Sequence, residues 1–312
     1  MSFCNKILKN NNVYASITIL YFKEDFIIEE KTYKVWLSLI KNLGIKRYTN
    51  LIHKFKSNKA IWNASKQELL KVEGIGKQLA ELISNKDLKQ YVEKHIEYME
   101  KNHIDIISIQ DKEYPKMLKE IYDPPICLYI RGNKKILNNK SIAIIGCREA
   151  SNYGLSVANE FAYNLSKHNL NIISGLARGI DSEAHLGAVR ANQKTIAVVG
   201  NGLDTVYPKE NIILVQNILN SGGAIISEYP LGIESKKENF PARNRIISGM
   251  SRGLLVVEAK EKSGTLITVD FALEQGRDVF VIPGNINSIN SVGTNDLIKQ
   301  GAKLVTSWEE CI

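Results

Sequence analysis

The chain has 312 residues, 44% of them hydrophobic and 24% charged, which is ordinary globular composition and enough for about two domains with a sizeable core. Its formal charge is +8, from 41 Lys and Arg against 33 Asp and Glu, so nucleic acid, an acidic membrane surface and an anionic ligand all stay open as partners. Cys4, Cys127, Cys147 and Cys311 lie far apart with no CxxC pair, and His53, His95, His103, His168 and His185 show no metal-ligand spacing. A disulfide framework and a zinc site are therefore not expected.

The least polar early stretch, Val13 to Phe22, contains Tyr, Ser and Thr and falls well short of the roughly 20 apolar residues of a membrane span. Lys6 and Lys9 precede it, but no small-x-small cleavage site follows, and Lys23, Glu24 and Asp25 come at once. A secretory signal is therefore not expected. The expectation is a reduced, cytoplasmic protein without a membrane span, residues 1–25 forming an N-terminal extension.

Glycine and proline place the next boundary. Of 21 Gly only Gly44, Gly74, Gly76 and Gly132 precede residue 141, and all seven Pro lie at or after Pro115. A Pro-free, Gly-poor segment suits helices. Thr32 to Asn42, Tyr48 to Phe55, Lys66 to Lys71, Gly76 to Ser84 and Asp87 to Asn102 carry apolar residues at helical spacing, for example Val35, Leu39, Ile40 and Leu43. Residues 26–110 are expected to form a small helical domain.

A second domain is expected over residues 111–312. Tyr114 to Gly132 holds three Pro and ends in a short apolar run, an extended entry into that unit. Strand-length apolar runs then recur: SIAIIG (141–146), NIISG (171–175), TIAVVG (195–200), GAIISE (223–228), GLLVVEA (253–259), DVFVIP (278–283) and KLVTS (303–307). Such near-continuous runs belong to parallel strands buried on both faces. Crossover-length segments, notably Tyr153 to His168 and Gly179 to Asn192, separate them. The fold class is α/β, a Rossmann-like doubly wound, mostly parallel sheet preceded by a small all-α domain.

Ligands of such sheets bind at the carboxyl ends of the strands. Those ends carry Gly146-Cys147-Arg148, then Gly175 to Asp181 with Arg178, then Gly200 to Asp204 with Tyr207, Lys209 and Asn211 beyond. Ser227-Glu228 follows the fourth strand. Phe240-Pro241-Ala242-Arg243-Asn244-Arg245 precedes the fifth, and Glu258 with Ser263-Gly264-Thr265 follows it. Small residues let backbone N–H groups approach an anion, and Arg adds bidentate contacts, which is phosphate-binding chemistry. The plainer reading is that these residues only make βα turns.

Absences narrow the ligand. GCREASNYG lacks the GxGxxG spacing, and GxxxxGK[ST] occurs nowhere, which disfavours ordinary NAD binding and P-loop hydrolysis. No nucleophile-base-acid order stands out. Asp181 and His185, at i, i+4, read as an acid/base pair or, preferably, as a turn-orienting acid beside a structural histidine. No catalytic residue, metal site or cofactor is assigned.

At these loops the sequence closely resembles the DNA-processing protein A (DprA, or Smf) family. The matching runs are SGLARGIDSEAH (174–185), GLDTVYPKEN (202–211), SEYPLG (227–232), FPARNRIISGMS (240–251), VVEAKEKSGTLIT (256–268), VFVIPG (279–284) and GTNDLIKQGA (293–302). The resemblance implies a non-enzymatic cytoplasmic homodimer that binds single-stranded DNA, protects it and loads the RecA recombinase onto it in natural transformation. The family's Gly-Ser/Thr-Arg signature falls on Gly146, Cys147 and Arg148, with a thiol in place of the hydroxyl. The Arg-Asn-Arg signature falls on Arg243, Asn244 and Arg245, and the Ser-Gly-Thr/Ser loop on Ser263, Gly264 and Thr265. Arg148 and Arg243 are expected to meet phosphates; Gly175, Arg178, Lys209, Arg245 and Lys262 are expected neighbours, and Asn211 and Glu258 are expected to hold loops in shape. Many relatives continue into a C-terminal winged helix, which is not expected in this chain.

Cys147 beside Arg148 allows two readings, a reactive thiolate or a small residue standing in for Ser. In the helical domain, Leu69 to Ile83 looks like a helix-hairpin-helix, as in the SAM-like domains of the family; Gly74, Gly76 and Lys77 would touch the nucleic-acid backbone, or the turn would simply pack two helices. A rival from another class is a phosphoribohydrolase-like enzyme acting on a nucleoside monophosphate, with Glu258 as its acid. Divided at residue 140, the charge is +9 before the boundary and −1 after it, so the diffuse positive charge and the expected binding loops lie in different domains.

Overall fold

The computed structural model describes residues 30–312; the expected extension over residues 1–25 lies outside the described residues. The chain divides into two compact units between Tyr98 and Met99. No helix among the described residues is long and apolar enough to cross a membrane.

Over its described residues the first unit is helical: α1 (30–39), α2 (Gly44–Phe55), α3 (Asn58–Asn63), α4 (Lys66–Leu69), α5 (Lys77–Ser84) and α6 (Lys86–Lys101), whose last turn lies beyond the division. Trp36, Tyr48, Leu51, Ile61, Leu69 and Ile83, from α1 to α5, are buried, and Trp62 packs edge-on against Trp36 and Tyr33, with ring centroids 5.1 and 5.6 Å away. Serines start the short helices. Ser57 Oγ accepts from Ala60 N–H, and Ser65 forms a capping box with Glu68, satisfying amide groups that a first helical turn leaves open. Asn58 to Asn63 is too short to show a helical period, so α3 has no counterpart among the expected helices.

The second unit is built on a nine-stranded sheet: β1 (Ile104–Ser108), β2 (Cys127–Gly132), β3 (Ser141–Ile145), β4 (Asn171–Ser174), β5 (Thr195–Val198), β6 (Ala224–Ser227), β7 (Gly253–Val256), β8 (Asp278–Val281) and β9 (Lys303–Leu304). Their order is β1-β2-β6-β5-β4-β3-β7-β8-β9. β1 and β2 are antiparallel; every pairing from β6 to β9 is parallel. The sheet begins earlier than the helical reading of residues 26–110 allowed, because β1 pairs with β2 over its whole length. Five residues directly after a long helix carry too little alternation to separate from it.

Between the strands run α7 (Lys116–Lys119), α8 (Asn152–Lys167), α9 (Ile180–Arg190), α10 (Ile212–Asn220), α11 (Asn239–Gly249), α12 (Gly264–Glu274) and α13 (Val292–Lys299). α8 and α9 cover one face, where Phe161, Leu165, Ile180 and Ala184 pack with Ile142, Ile144, Ile172 and Leu255. Alternate strand residues point the other way, and Ala143, Ile145, Leu254 and Val256 are buried as well. Both faces are covered, as the apolar runs required. The chain winds outward from β3 to β6, then returns to set β7 on the other side of β3. The βα loops diverge at that reversal and leave a crevice.

α8 and α9 approach closely at Gly187, where a Cβ would stand 2.3 Å from Asn159 O and 2.8 Å from Ala162 Cβ. Gly187→Ala is expected to destabilise the protein by about 1–3 kcal/mol through overpacking, read as a lower midpoint in urea unfolding.

Candidate nucleic-acid interface

The loops after β3, β4 and β7 and the first turns of α9, α11 and α12 surround a cleft of about 740 Å³. Gly146 brings the first of these loops against its neighbours: a Cβ there would lie 2.6 Å from Ile180 Cγ1 and 2.9 Å from Glu258 O. Of the residues expected at the site, Gly146, Cys147, Arg148, Arg178, Arg243, Asn244, Lys262, Ser263, Gly264 and Thr265 line this cleft. Gly175 lines a small recess adjoining it.

Lys209 and Arg245 are placed elsewhere. Lys209 is exposed on a single turn of 3-10 helix whose Glu210 pairs with Arg178. Arg245 is buried: its guanidinium pairs with Glu228 and donates to the carbonyls of Asp123 and Ala242 at 2.9 and 2.8 Å. These partners give Arg245 a structural job, fastening α11 to the segment before β2.

The three cleft arginines differ in environment. Arg148 is exposed and makes no hydrogen bond or ion pair among the described residues; its guanidinium lies 5.2 Å from the Phe240 ring centre. Arg178 is exposed and committed to Glu210. Arg243 is only 4% exposed. Its Nη1 donates to the carbonyls of Gly175, at 2.6 Å, and Val198, while its Nε is buried without a partner. Burial holds its guanidinium down to about 10, against the raising effect of the Asp181 carboxylate. It remains a cation at neutral pH, set in the cleft wall.

Gly175 makes that wall possible. A Cβ there would stand 2.4 Å from Arg243 Nη1 and 2.7 Å from Asp181 Oδ2. Asp181 is raised by burial, with Arg243 opposing. His185 does not face Asp181 as an acid/base partner: its Nδ1 is 2.7 Å from Thr195 Oγ1, and burial, with Arg243 adding to it, pushes its imidazole down to about 3. The structural reading of His185 is the one the packing supports.

α12 begins at the same cleft, where Asn244 Nδ2 of α11 donates to Gly264 O. Ser263 Oγ accepts from Thr265 N–H at 3.2 Å, and no atom lies within 4 Å of where a Cβ on Gly264 would be. The positive end of an 11-residue helix is therefore presented to the cleft over bare backbone. Lys262 stands exposed beside it. The aromatic floor and two further lysines carried no sequence assignment: Tyr207 and Phe240 lie with ring centres 5.7 Å apart, and Lys237 and Lys260 share the lining. Both rings occur in the loops already singled out; Lys237, three residues before Phe240, was the available signal.

Two loop-shaping residues act at a distance from the cleft lining. Asn211 Nδ2 donates to Leu176 O at 2.8 Å and to Ser182 Oγ at 3.0 Å. Glu258 is buried and accepts from the Ser151 amide at 2.9 Å and the Ser151 hydroxyl at 2.5 Å, which fixes the entry to α8. In the helical unit, Gly74 and Gly76 are exposed between α4 and α5, Lys77 opens α5, and Arg47 Nε donates to Gly74 O at 3.1 Å. α2 thus clamps the hairpin turn from behind.

A doubly wound α/β domain with a crevice at its strand-order reversal is of the Rossmann-like class, and here arginines and a helix N-terminus surround that crevice. Residues 105–312 match the family described as DNA recombination-mediator protein A, and the chain belongs to that family. It is 42% identical over 224 residues to Protein Smf of Escherichia coli, covering 72% of this chain and 60% of that one. It is 46% identical over 205 residues to DNA processing protein DprA of Streptococcus pneumoniae, covering 66% and 72%. The X-ray structure of the Streptococcus pneumoniae DNA processing protein A superposes with a TM-score of 0.72 at 35% identity, over 89% of this chain and 96% of that one. DNA processing protein A of Helicobacter pylori, whose structure is described for its single-stranded DNA binding mode, gives a TM-score of 0.61 at 31% identity, over 67% and 95%.

Cys147 lines the cleft but is buried, and burial pushes its thiol up, only partly offset by the Lys260 amide. α8 starts five residues later, at Asn152, so Cys147 does not stand at the N-terminus of the helix that follows it in the chain. Iodoacetamide at neutral pH is expected to modify Cys147 of the folded protein more slowly than a free thiol, read by peptide mass spectrometry, and fully after denaturation. Faster modification would restore the reactive reading.

Proposed function

We propose that this chain is a single-stranded DNA-binding recombination mediator. The observation that carries the reading is the convergence, on one crevice, of Arg148, Arg243, Lys262 and the α12 N-terminus above the Tyr207 and Phe240 rings. Cations and amides suit backbone phosphates, and aromatic faces suit unstacked bases without regard to sequence. Membership of the recombination-mediator family and the strand binding described for the Helicobacter pylori relative support it.

The finer proposal is that the protein acts as a cytoplasmic homodimer, shields an incoming strand from nucleases during natural transformation and loads RecA onto it. Gly74, Gly76 and Lys77 of the helical unit would add a secondary contact to the backbone. The proposed role needs no catalysis. The phosphoribohydrolase-like alternative asks Glu258 to face a nucleotide, whereas its carboxylate is engaged by Ser151; incubation with nucleoside monophosphates is expected to yield no free base by chromatography.

Fluorescence anisotropy with a labelled oligonucleotide tests the cleft. Arg148→Ala combined with Lys262→Ala is expected to weaken binding and to flatten the plot of log K against log salt by about 0.7 for each phosphate that the variant no longer neutralises. Unchanged affinity and slope in a variant that melts like the parent would remove the cleft from strand binding.

A further inference from the structure

A buried carboxylate on the wall of an anion cleft works against the rest of the site. Asp181 stands in the first turn of α9 and lines the same cleft as Arg148 and Arg243. Its Oδ2 accepts the Ala177 amide at 3.3 Å, and it forms no ion pair among the described residues. Arg243 does not depend on it for hydrogen bonds, since Nη1 is committed to the carbonyls of Gly175 and Val198. The two groups nevertheless flank the bare Cα of Gly175, where one added carbon would touch both. The carboxylate therefore acts on the guanidinium through charge, each opposing the effect of burial on the other, and it contributes negative potential where a phosphate would sit.

We propose that Asp181 is a counter-charge that limits how tightly the cleft holds a phosphate, so that a bound strand can leave. The inference rests on the strand-binding reading given above. Interactions between charges a few ångströms apart at a partly buried site are only weakly screened, so neutralising Asp181 strengthens the attraction that Arg148, Arg243 and the α12 N-terminus exert. Among variants of one interface, affinity differences fall mainly on dissociation. A mediator that delivers its strand to another protein needs that step to be fast.

The test uses the full chain with Asp181→Asn, which keeps the shape of the side chain and an acceptor for the Ala177 amide, and with Asp181→Ser as a second variant. A labelled oligothymidylate is titrated by anisotropy at several salt concentrations, its dissociation is followed by stopped flow, and each protein is melted. The Asn variant is expected to bind about tenfold tighter at low salt and to release the strand correspondingly more slowly, with the difference shrinking as salt rises. A merely structural role gives weaker binding and a lower melting temperature, so the direction of the change separates the two.

Equal or weaker binding by an Asn variant that melts like the parent overturns the proposal. If Asn destabilises the fold, the Ser variant decides by the same criterion, and loss of the melting transition in both assigns Asp181 to folding and overturns it too. Wild-type protein that fails to retain the oligonucleotide overturns the strand-binding reading instead. In that case inorganic pyrophosphate, titrated by calorimetry against the same proteins, still reads the counter-charge: tighter binding by the Asn variant supports it, and equal or weaker binding overturns it.

Discussion

Arg243 joins three parts of the molecule through one guanidinium. It comes from α11, its Nη1 donates to the carbonyl of Gly175 after β4 and to that of Val198 at the end of β5, and it leans on Phe240 at 5.9 Å. Two strand ends and a helix are thereby held in one arrangement beside the reversal in strand order. Removing the guanidinium leaves those buried carbonyls without its hydrogen bonds, at a cost of about 1–3 kcal/mol for each acceptor left unsatisfied. The cleft exists in this form because that charge is buried there, and the same burial keeps Arg243 from moving with a ligand.

Arg148 is its counterpart. It is exposed and stacked on a ring, with no hydrogen bond or ion pair among the described residues, so its donors are available to an anion. The site combines a fixed cation with a free one, and the α12 N-terminus lines the same cleft. The second unit carries almost no net charge over residues 141–312, so the field at the cleft arises from placement. The excess of lysine before residue 141 can speed encounter with a polyanion while leaving the positioning of phosphates to a few groups.

How much of this was legible in the sequence follows from the range of the interactions concerned. The near-continuous runs at residues 141–146, 195–200 and 253–259 identify buried parallel strands because burial on both faces removes alternation, a local signal. β1 escaped because IDIIS is short and adjoins an amphipathic helix. Arg243 and Arg245 look equivalent in FPARNR, yet two residues along a helix point to different sides. One enters the cleft wall and the other meets Glu228 and Asp123, partners that only the folded chain brings near. The aromatic floor was hidden for the same reason, since Tyr207 and Phe240 come from separate loops.

Gly175 and Gly264 both line the crevice region, and both would be read as turn glycines. Their surroundings give them opposite tolerance to change. A side chain at 175 has to enter the narrow space between a buried cation and a buried acid, whereas one at 264 has open space before it. Among descendants of this sequence, position 264 is free to drift to alanine at the level of the fold, and only ligand access restrains it. Position 175 is closed by the fold itself, so the spacing of positive and negative charge in the cleft is inherited through the absence of a single methyl group.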